Sequence, residues 1–359
     1  MNLSDTKLVY KIYILKENET LEIVAAKFGL QINAIRTFHN KHASLTNRIP
    51  YAGAIPSYVL ELFLPYAVTN KGNENLHITK EKPIQLASQN HLLCDFTVLN
   101  HRYGVVINLV TKKEKKRFHY TTGIECTDEF EYVYDLVLSK SNVYLDYKEP
   151  NMLAENLAEA LGKPLYPIAV KAYRSGQFSG VFNQPEVFKR WQKVKAKTQR
   201  YFKSPIAAQQ IKNVDSAYKN RIAIEKAIKR DFFFKLYFSG LYNVYFSKLE
   251  IKNTIKVPLY PFIDGIQYQI KQSINPYLNA NNNIVVYQKG TVSDLRSSKD
   301  IEENKDTPYY KSTPLEGELD ITYELCNTTH VIKSIVGSIT LLVNKKLDKK
   351  ITIEAYHLT

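Results

Sequence analysis

The stretch Tyr13–Asn40, YILKENETLEIVAAKFGLQINAIRTFHN, decides how the chain is read. Tyr13, Ile14 and Leu15 read as a short strand. Thr20 is placed to cap a helix, its hydroxyl accepting an amide that the first helical turn leaves unpaired. Leu21, Val24, Ala25 and Phe28 recur at i, i+3, i+4 and i+7, one apolar stripe of a two-turn helix, and Gly29 supplies the left-handed residue at its end. Ile32, Ile35 and Phe38 or His39 predict a second short helix facing the same interior. Tyr58–Leu64, YVLELFL, predicts the returning strand, closed by Pro65.

A strand, two short helices and a strand, in this residue order, resemble a LysM domain. The family opens with a tyrosine strand, a Gly-Asp-Thr-Leu turn and a helix ending in aromatic-Gly-Val-Ser. Here Tyr13, then Asn18-Glu19-Thr20-Leu21, then Phe28-Gly29-Leu30-Gln31 are similar to that opening. Asn18 stands in place of glycine and tolerates positive φ, and Glu19 keeps a carboxylate beside the helix start. Asn40 sits near the family's usual Asn after the second helix. Beyond it the chain departs: the link to the closing strand is long, and His42–Pro56 has no Pro-Gly turn. The resemblance implies a βααβ fold over residues 1–65. It also implies a glycan- or partner-binding groove between two loops, at Asn18, Glu19, Thr20, Lys41, His42 and Tyr51.

With 359 residues the chain has room for two or three domains with cores of their own. Tyr66–Pro83 is polar and reads as a linker, so an α+β body is expected over 84–359. No apolar run reaches the length of a transmembrane helix, and the opening residues lack the pattern of a secretory leader. The expected location is therefore cytoplasmic, with export as part of a larger machine as the other route. Cys94, Cys126 and Cys326 are odd in number and far apart, which predicts reduced thiols.

Charge is concentrated. The formal net charge is +14, and between Lys189 and Lys256 there are 17 Lys or Arg against 4 Asp or Glu. Such a region attracts anionic partners and says little about fold.

The body begins with RYGVVINLV, KRFHYTTGI, FEYVYDLVL and SNVYLDY, runs of Val, Tyr and Ile that predict an antiparallel meander. NMLAENLAEALG predicts a helix of about three turns. A strand pair turning at Ser175-Gly176 leads into a helical segment over about 186–247. Trp191 faces inward there, the outer side is basic, and the aromatic run Phe232–Phe246 is expected to be buried. Six further strands follow, so the predicted class is α+β, a half-barrel-like antiparallel sheet wrapped around a long helical segment. The junction at Tyr173, Gly176 and Asn183-Gln184-Pro185-Glu186 resembles that of some bacterial half-barrel lipoprotein-like families. Residues 293–317 read as a mobile polar insertion.

Catalytic signatures are not legible: there is no HExxH, GxSxG or phosphate loop, and no metal or cofactor site is predicted. Glu125–Glu131 carries four carboxylates and reads as a solvated turn. Nucleic acid is disfavoured, because no reading module accompanies the charge and the aromatics fit a core. A membrane-surface role is disfavoured because the basic helices have no wide lipid face. Two functions then compete. One is a non-enzymatic intracellular adaptor of a contractile injection, type VI secretion or phage-tail-like machine, binding an acidic protein surface through Lys193, Lys197, Arg200 and Lys203. The other is a cell-envelope protein that binds peptidoglycan, an N-acetylglucosamine polymer. A cell-wall hydrolase ranks third.

Overall fold

The computed structural model describes residues 8–16, 19–43, 47–49, 55, 59–65, 76–80, 82–246 and 248–358. The chain divides into two compact units, Met1–Gln85 with Asn275–Val285, and Leu86–Ile274 with Val286–Thr359. The fold is mixed α+β with one large antiparallel sheet.

In the first unit β1 (Leu8–Ile14), α1 (Leu21–Phe28), α2 (Ile32–His42) and β2 (Glu61–Pro65) follow in that order. Thr20 caps α1, its side chain accepting from the Ile23 amide, and Gly29 closes the helix at φ 64°. Strands β1 and β2 pair antiparallel with Tyr13 opposite Leu62. Their inner residues close on Leu21, Val24, Phe28 and Ile35 in a single apolar cluster. Leu76–Lys80, inside the stretch expected to be a linker, is a third strand, β3, antiparallel on the other side of β1. Its Leu-His-Ile alternation is a short strand pattern in polar surroundings. Residues 66–75 of that stretch lie outside the described residues. The chain then runs along the 275–285 segment, with the Leu278 amide donating to the Lys82 carbonyl at 2.8 Å and the Ile84 amide to the Pro276 carbonyl at 3.0 Å.

The second unit opens with β4 (Asn100–Thr111), β5 (Lys115–Phe130), β6 (Val133–Leu145), α3 (Leu153–Gly162), β7 (Ile168–Tyr173) and β8 (Phe178–Val181). Helices α4 (Gln184–Tyr201), α5 (Pro205–Tyr218), α6 (Arg221–Arg230) and α7 (Phe232–Tyr237) come next. The remainder is β9 (Glu250–Val257), β10 (Ile266–Ile274), β11 (Asn283–Val292), α8 (Ser298–Glu302), β12 (Glu318–Cys326), β13 (Ile332–Val343) and β14 (Lys346–Leu358). Eleven strands form one open sheet in the order β8-β7-β6-β5-β4-β14-β13-β12-β11-β10-β9. Strand β14 lies inside it, between β4 and β13.

Alternate residues of the central strands are buried, as the two-residue period of a strand with one packed face requires: Tyr103, Val105 and Ile107 on β4, Ile351, Ile353 and Ala355 on β14. Helix α7 packs its aromatic rings on that face, with Phe233 and Tyr237 at 5.4 and 5.7 Å from the Tyr103 ring.

Several sequence expectations change here. FEYVYDLVL and SNVYLDY share one strand, β6, because the turn falls at Glu131–Tyr132 and not after Leu138. The polar residues Ser139–Ser141 stay on the ladder with β5. Lys140 bonds Asp231 at 2.9 Å and lies over the Tyr120 ring, so this lysine belongs to the packing of α7's first turn. The aromatic run is buried as far as Tyr245, with Phe233, Phe234, Tyr237, Phe238, Tyr242 and Tyr245 inside, but α7 ends at Tyr237 and Phe246 is exposed. Residues 293–317 are built around buried charges. Arg296 pairs with Asp294 at 2.7 Å, and the fully buried Asp300 carboxylate accepts from the amides of Ser297, Tyr309 and Tyr310. Those bonds hold Asp300 below the usual carboxylate range, at about 2, against the opposing effect of burial.

Candidate binding surfaces

Three of the six residues expected to form the groove of the first unit, Glu19, Thr20 and His42, are engaged within the fold. The Glu19 carboxylate accepts from the Tyr13 hydroxyl at 2.6 and 2.8 Å and from the Lys16 amide at 3.0 Å, while Lys27 Nζ donates to the same hydroxyl at 2.8 Å. Burial, then the Glu19 carboxylate, pushes the Tyr13 phenol up. Thr20 serves as the cap of α1. His42 is packed between Tyr10 and Phe38, at ring distances of 5.2 and 4.5 Å. Burial, then the charges of Lys41 and His39, pushes it down to about 4. Lys41 is exposed. Asn18 and Tyr51, the other two groove positions, lie outside the described residues.

Two α2 residues hold the loop that faces this region. His39 is fully buried, with Nε2 at 2.7 Å from the Asn47 carbonyl and Nδ1 accepting from the Phe63 amide at 3.1 Å. The two bonds fix a neutral tautomer, Nε2 protonated, and burial keeps its pKa low. Asn40 brackets Ile49, donating to its carbonyl and accepting from its amide, both at 2.8 Å. The sequence placed His39 on the inward face of α2 and Asn40 near the family's usual Asn; both bond to residues of the segment that follows α2.

The basic surface is built differently. Along α4, Val187, Trp191 and Thr198 are buried, and the opposite side carries Lys189, Lys193, Lys197 and Arg200 in one stripe. The Trp191 indole donates to Asp215 of α5 at 2.9 Å, and the same carboxylate receives Lys195, Lys219 and Gln192 at 2.8, 2.9 and 3.1 Å. Those donors hold Asp215 well below the usual carboxylate range, outweighing its burial. One half-buried carboxylate therefore staples α4 to α5 and pairs with half-buried Lys195 and exposed Lys219. The outer cations have no such partner: among the described residues, Lys193, Lys197, Arg200 and Lys203 are exposed and form no ion pair. Glu186 in the first turn is the helix's one carboxylate.

The structure adds two apolar residues that the charge count did not single out. Tyr201 and Ile206, at the α4–α5 link, are 69% and 74% exposed beside Arg200 and Lys203. Pro205 places Ile206 in the first turn of α5, one residue ahead of the buried stripe Ala207, Ile211 and Tyr218. That offset was the available signal. Elsewhere, among the described residues, no group of three or more His, Cys, Asp or Glu is arranged to hold a metal ion, and no helix is long and apolar enough to cross a membrane.

No family model matches the chain, and no curated protein matches it in sequence. Among solved structures, one of lipovitellin, concerned with lipid–protein interactions, is similar over 73% of this chain and 25% of its own, at 10% identity and a TM-score of 0.34. The chain thus spans a quarter of that protein's length, and a likeness of that size bears on neither ligand nor mechanism.

Proposed function

We propose that the chain is a non-enzymatic binding and assembly protein that docks through the outer face of α4 onto an acidic protein surface. The observation that carries this reading is a contrast along α4 and its link to α5: half-buried Lys195 is neutralised by Asp215, while among the described residues Lys193, Lys197, Arg200 and, in the link, Lys203 form no ion pair beside exposed Tyr201 and Ile206. Unpaired charge of one sign around exposed apolar side chains has the make-up of an interface core with a charged rim. The setting follows from the resemblance of residues 1–65 to LysM, since that family includes parts of contractile injection, type VI secretion and phage-tail machinery. On this reading the first unit is a docking module, and the sheet and its helices form the half-barrel-like body that carries α4. The peptidoglycan reading needs groove side chains free to meet sugar, and Glu19 and His42 are engaged internally.

The experiment is to crosslink the protein in its producing cell, identify the partner, and titrate the purified pair. Changing Lys193, Lys197, Arg200 and Lys203 to Glu is expected to weaken binding at least about tenfold and to leave the fold unchanged. Equal binding by the variant would remove α4 from the interface. A steep log-log salt dependence with nucleic acid as the captured partner would replace the acidic protein with a polyanion.

A further inference from the structure

An acidic surface of the kind α4 calls for lies on the chain itself. Glu125, Asp128, Glu129 and Glu131 are exposed along the second half of β5 and its turn, and among the described residues none of them forms an ion pair. Phe130 and Tyr132 stand among them, 72% and 59% exposed. The turn that presents them is Glu131–Tyr132, both at positive φ, 47° and 65°. The Arg174 amide donates to the Tyr132 carbonyl at 3.0 Å, and its guanidinium stacks 4.5 Å from the Tyr132 ring centre, so the turn is braced from β7.

The two patches are opposite in sign and alike in make-up and length. One has cations around Tyr201 and Ile206; the other has carboxylates around Phe130 and Tyr132. From Glu125 to Phe130 is about 17 Å of strand, and from Lys189 to Arg200 is about 16 Å of helix. We infer that the acidic partner of α4 is a second copy of this chain, with the β5–β6 turn of one copy lying along α4 of the next. This rests on the docking reading of α4 given above and names its partner. The contact joins unlike patches, so copies either exchange both in a closed pair or add head to tail into a ring or filament.

The test uses the full chain in sedimentation velocity and light scattering between about 1 and 100 μM, where contacts of modest affinity populate. Self-association is expected at low salt and is expected to weaken at least about tenfold between about 50 and 500 mM salt, because the charges lie at the exposed rim. One variant carries Lys193→Glu, Lys197→Glu and Arg200→Glu; a second carries Glu125→Lys, Glu129→Lys and Glu131→Lys. Each alone is expected to be monomeric with an unchanged circular dichroism spectrum. Mixed, they are expected to associate again, since the reversed α4 of the first now meets the reversed turn of the second. A monomeric wild type at the highest concentration, folded variants that associate as wild type does, or a mixture that stays monomeric would each overturn the inference. If the wild type is monomeric while the α4 variant still loses a crosslinked foreign partner, the self-contact fails and the docking reading stands. If α4 reversal changes neither, both fail.

Discussion

The groove of the first unit and the outer face of α4 are both polar and both sit beside a helix, yet they differ in what their charges already hold. Glu19 is tied to Tyr13 and the Lys16 amide, and His39 to Asn47 and Phe63. Among the described residues, the outer cations of α4 form no ion pair. A polar side chain whose bonding capacity is filled within its own fold serves the folded state; one held exposed with its capacity open is available to a partner. Glu19 and His39 therefore serve the fold of the first unit, and the outer cations of α4 carry the docking proposed above.

The comparison is tested most severely on α4's inward side, where the same helix should behave like the groove. Trp191→Ala removes a fully buried indole and leaves Asp215 short of a donor. We expect a loss of ~3–5 kcal/mol in denaturant unfolding, read from the midpoint at constant m-value. A loss below about 0.5 kcal/mol would mean that the inner face is not a core face.

Next in size is His39→Ala, which leaves the Phe63 amide and the Asn47 carbonyl unpaired in a buried site. A cost of ~2–4 kcal/mol is expected, confined to the first unit and visible as faster hydrogen exchange at Val24 and Ile35. Unchanged exchange there would mean that the His39 bonds do not hold the unit together.

Acid should act on the same unit. His39 and His42 are held below the ordinary histidine value, His42 at about 4. A histidine with a depressed folded pKa supplies stability that is present above its unfolded value of ~6.5 and is lost as pH falls through the folded one. Protection of the first unit's amides should decline from pH 6.5 towards 4, and the decline should flatten in a His39→Gln, His42→Gln double variant. A pH-independent profile in wild type would break the assignment.

The smallest effect on stability is expected from Lys193→Glu, Lys197→Glu, Arg200→Glu and Lys203→Glu together, within about 1 kcal/mol in total because each side chain is solvated. A large destabilisation would show that these charges serve the fold after all.

Much of this was legible in the sequence because local signals carried it. Thr20, Gly29 and the stripe between them specify α1 without help from the rest of the chain, and Trp191 declared its face by spacing. Function in the groove was harder to read, since whether Glu19 is free depends on where Tyr13 places its hydroxyl across the unit. The same limit hid β6 and the 293–317 segment. Lys140 looks like a turn residue until Asp231 lies beside it, and Arg296 and Asp300 look solvated until their partners enclose them. The acidic run Glu125–Glu131 was read as a solvated turn; its carboxylates are exposed, but Glu125–Phe130 lie on β5 and only Glu131 is in the turn.

The position of β14 has a consequence in time. A ribosome adding ~5–20 residues per second completes β4 roughly 10–50 s before it reaches β14. Throughout that interval β4 has β5 on one side and an open edge on the other, and the strands from β9 to β13 gather with no neighbour at β13's outer edge. The nascent protein therefore waits with two incomplete half-sheets, each with an unsatisfied margin of the kind chaperones shield. A premature stop just before Lys346 would leave them permanently unjoined, so the loss of the thirteen-residue strand β14 would be felt through the whole sheet.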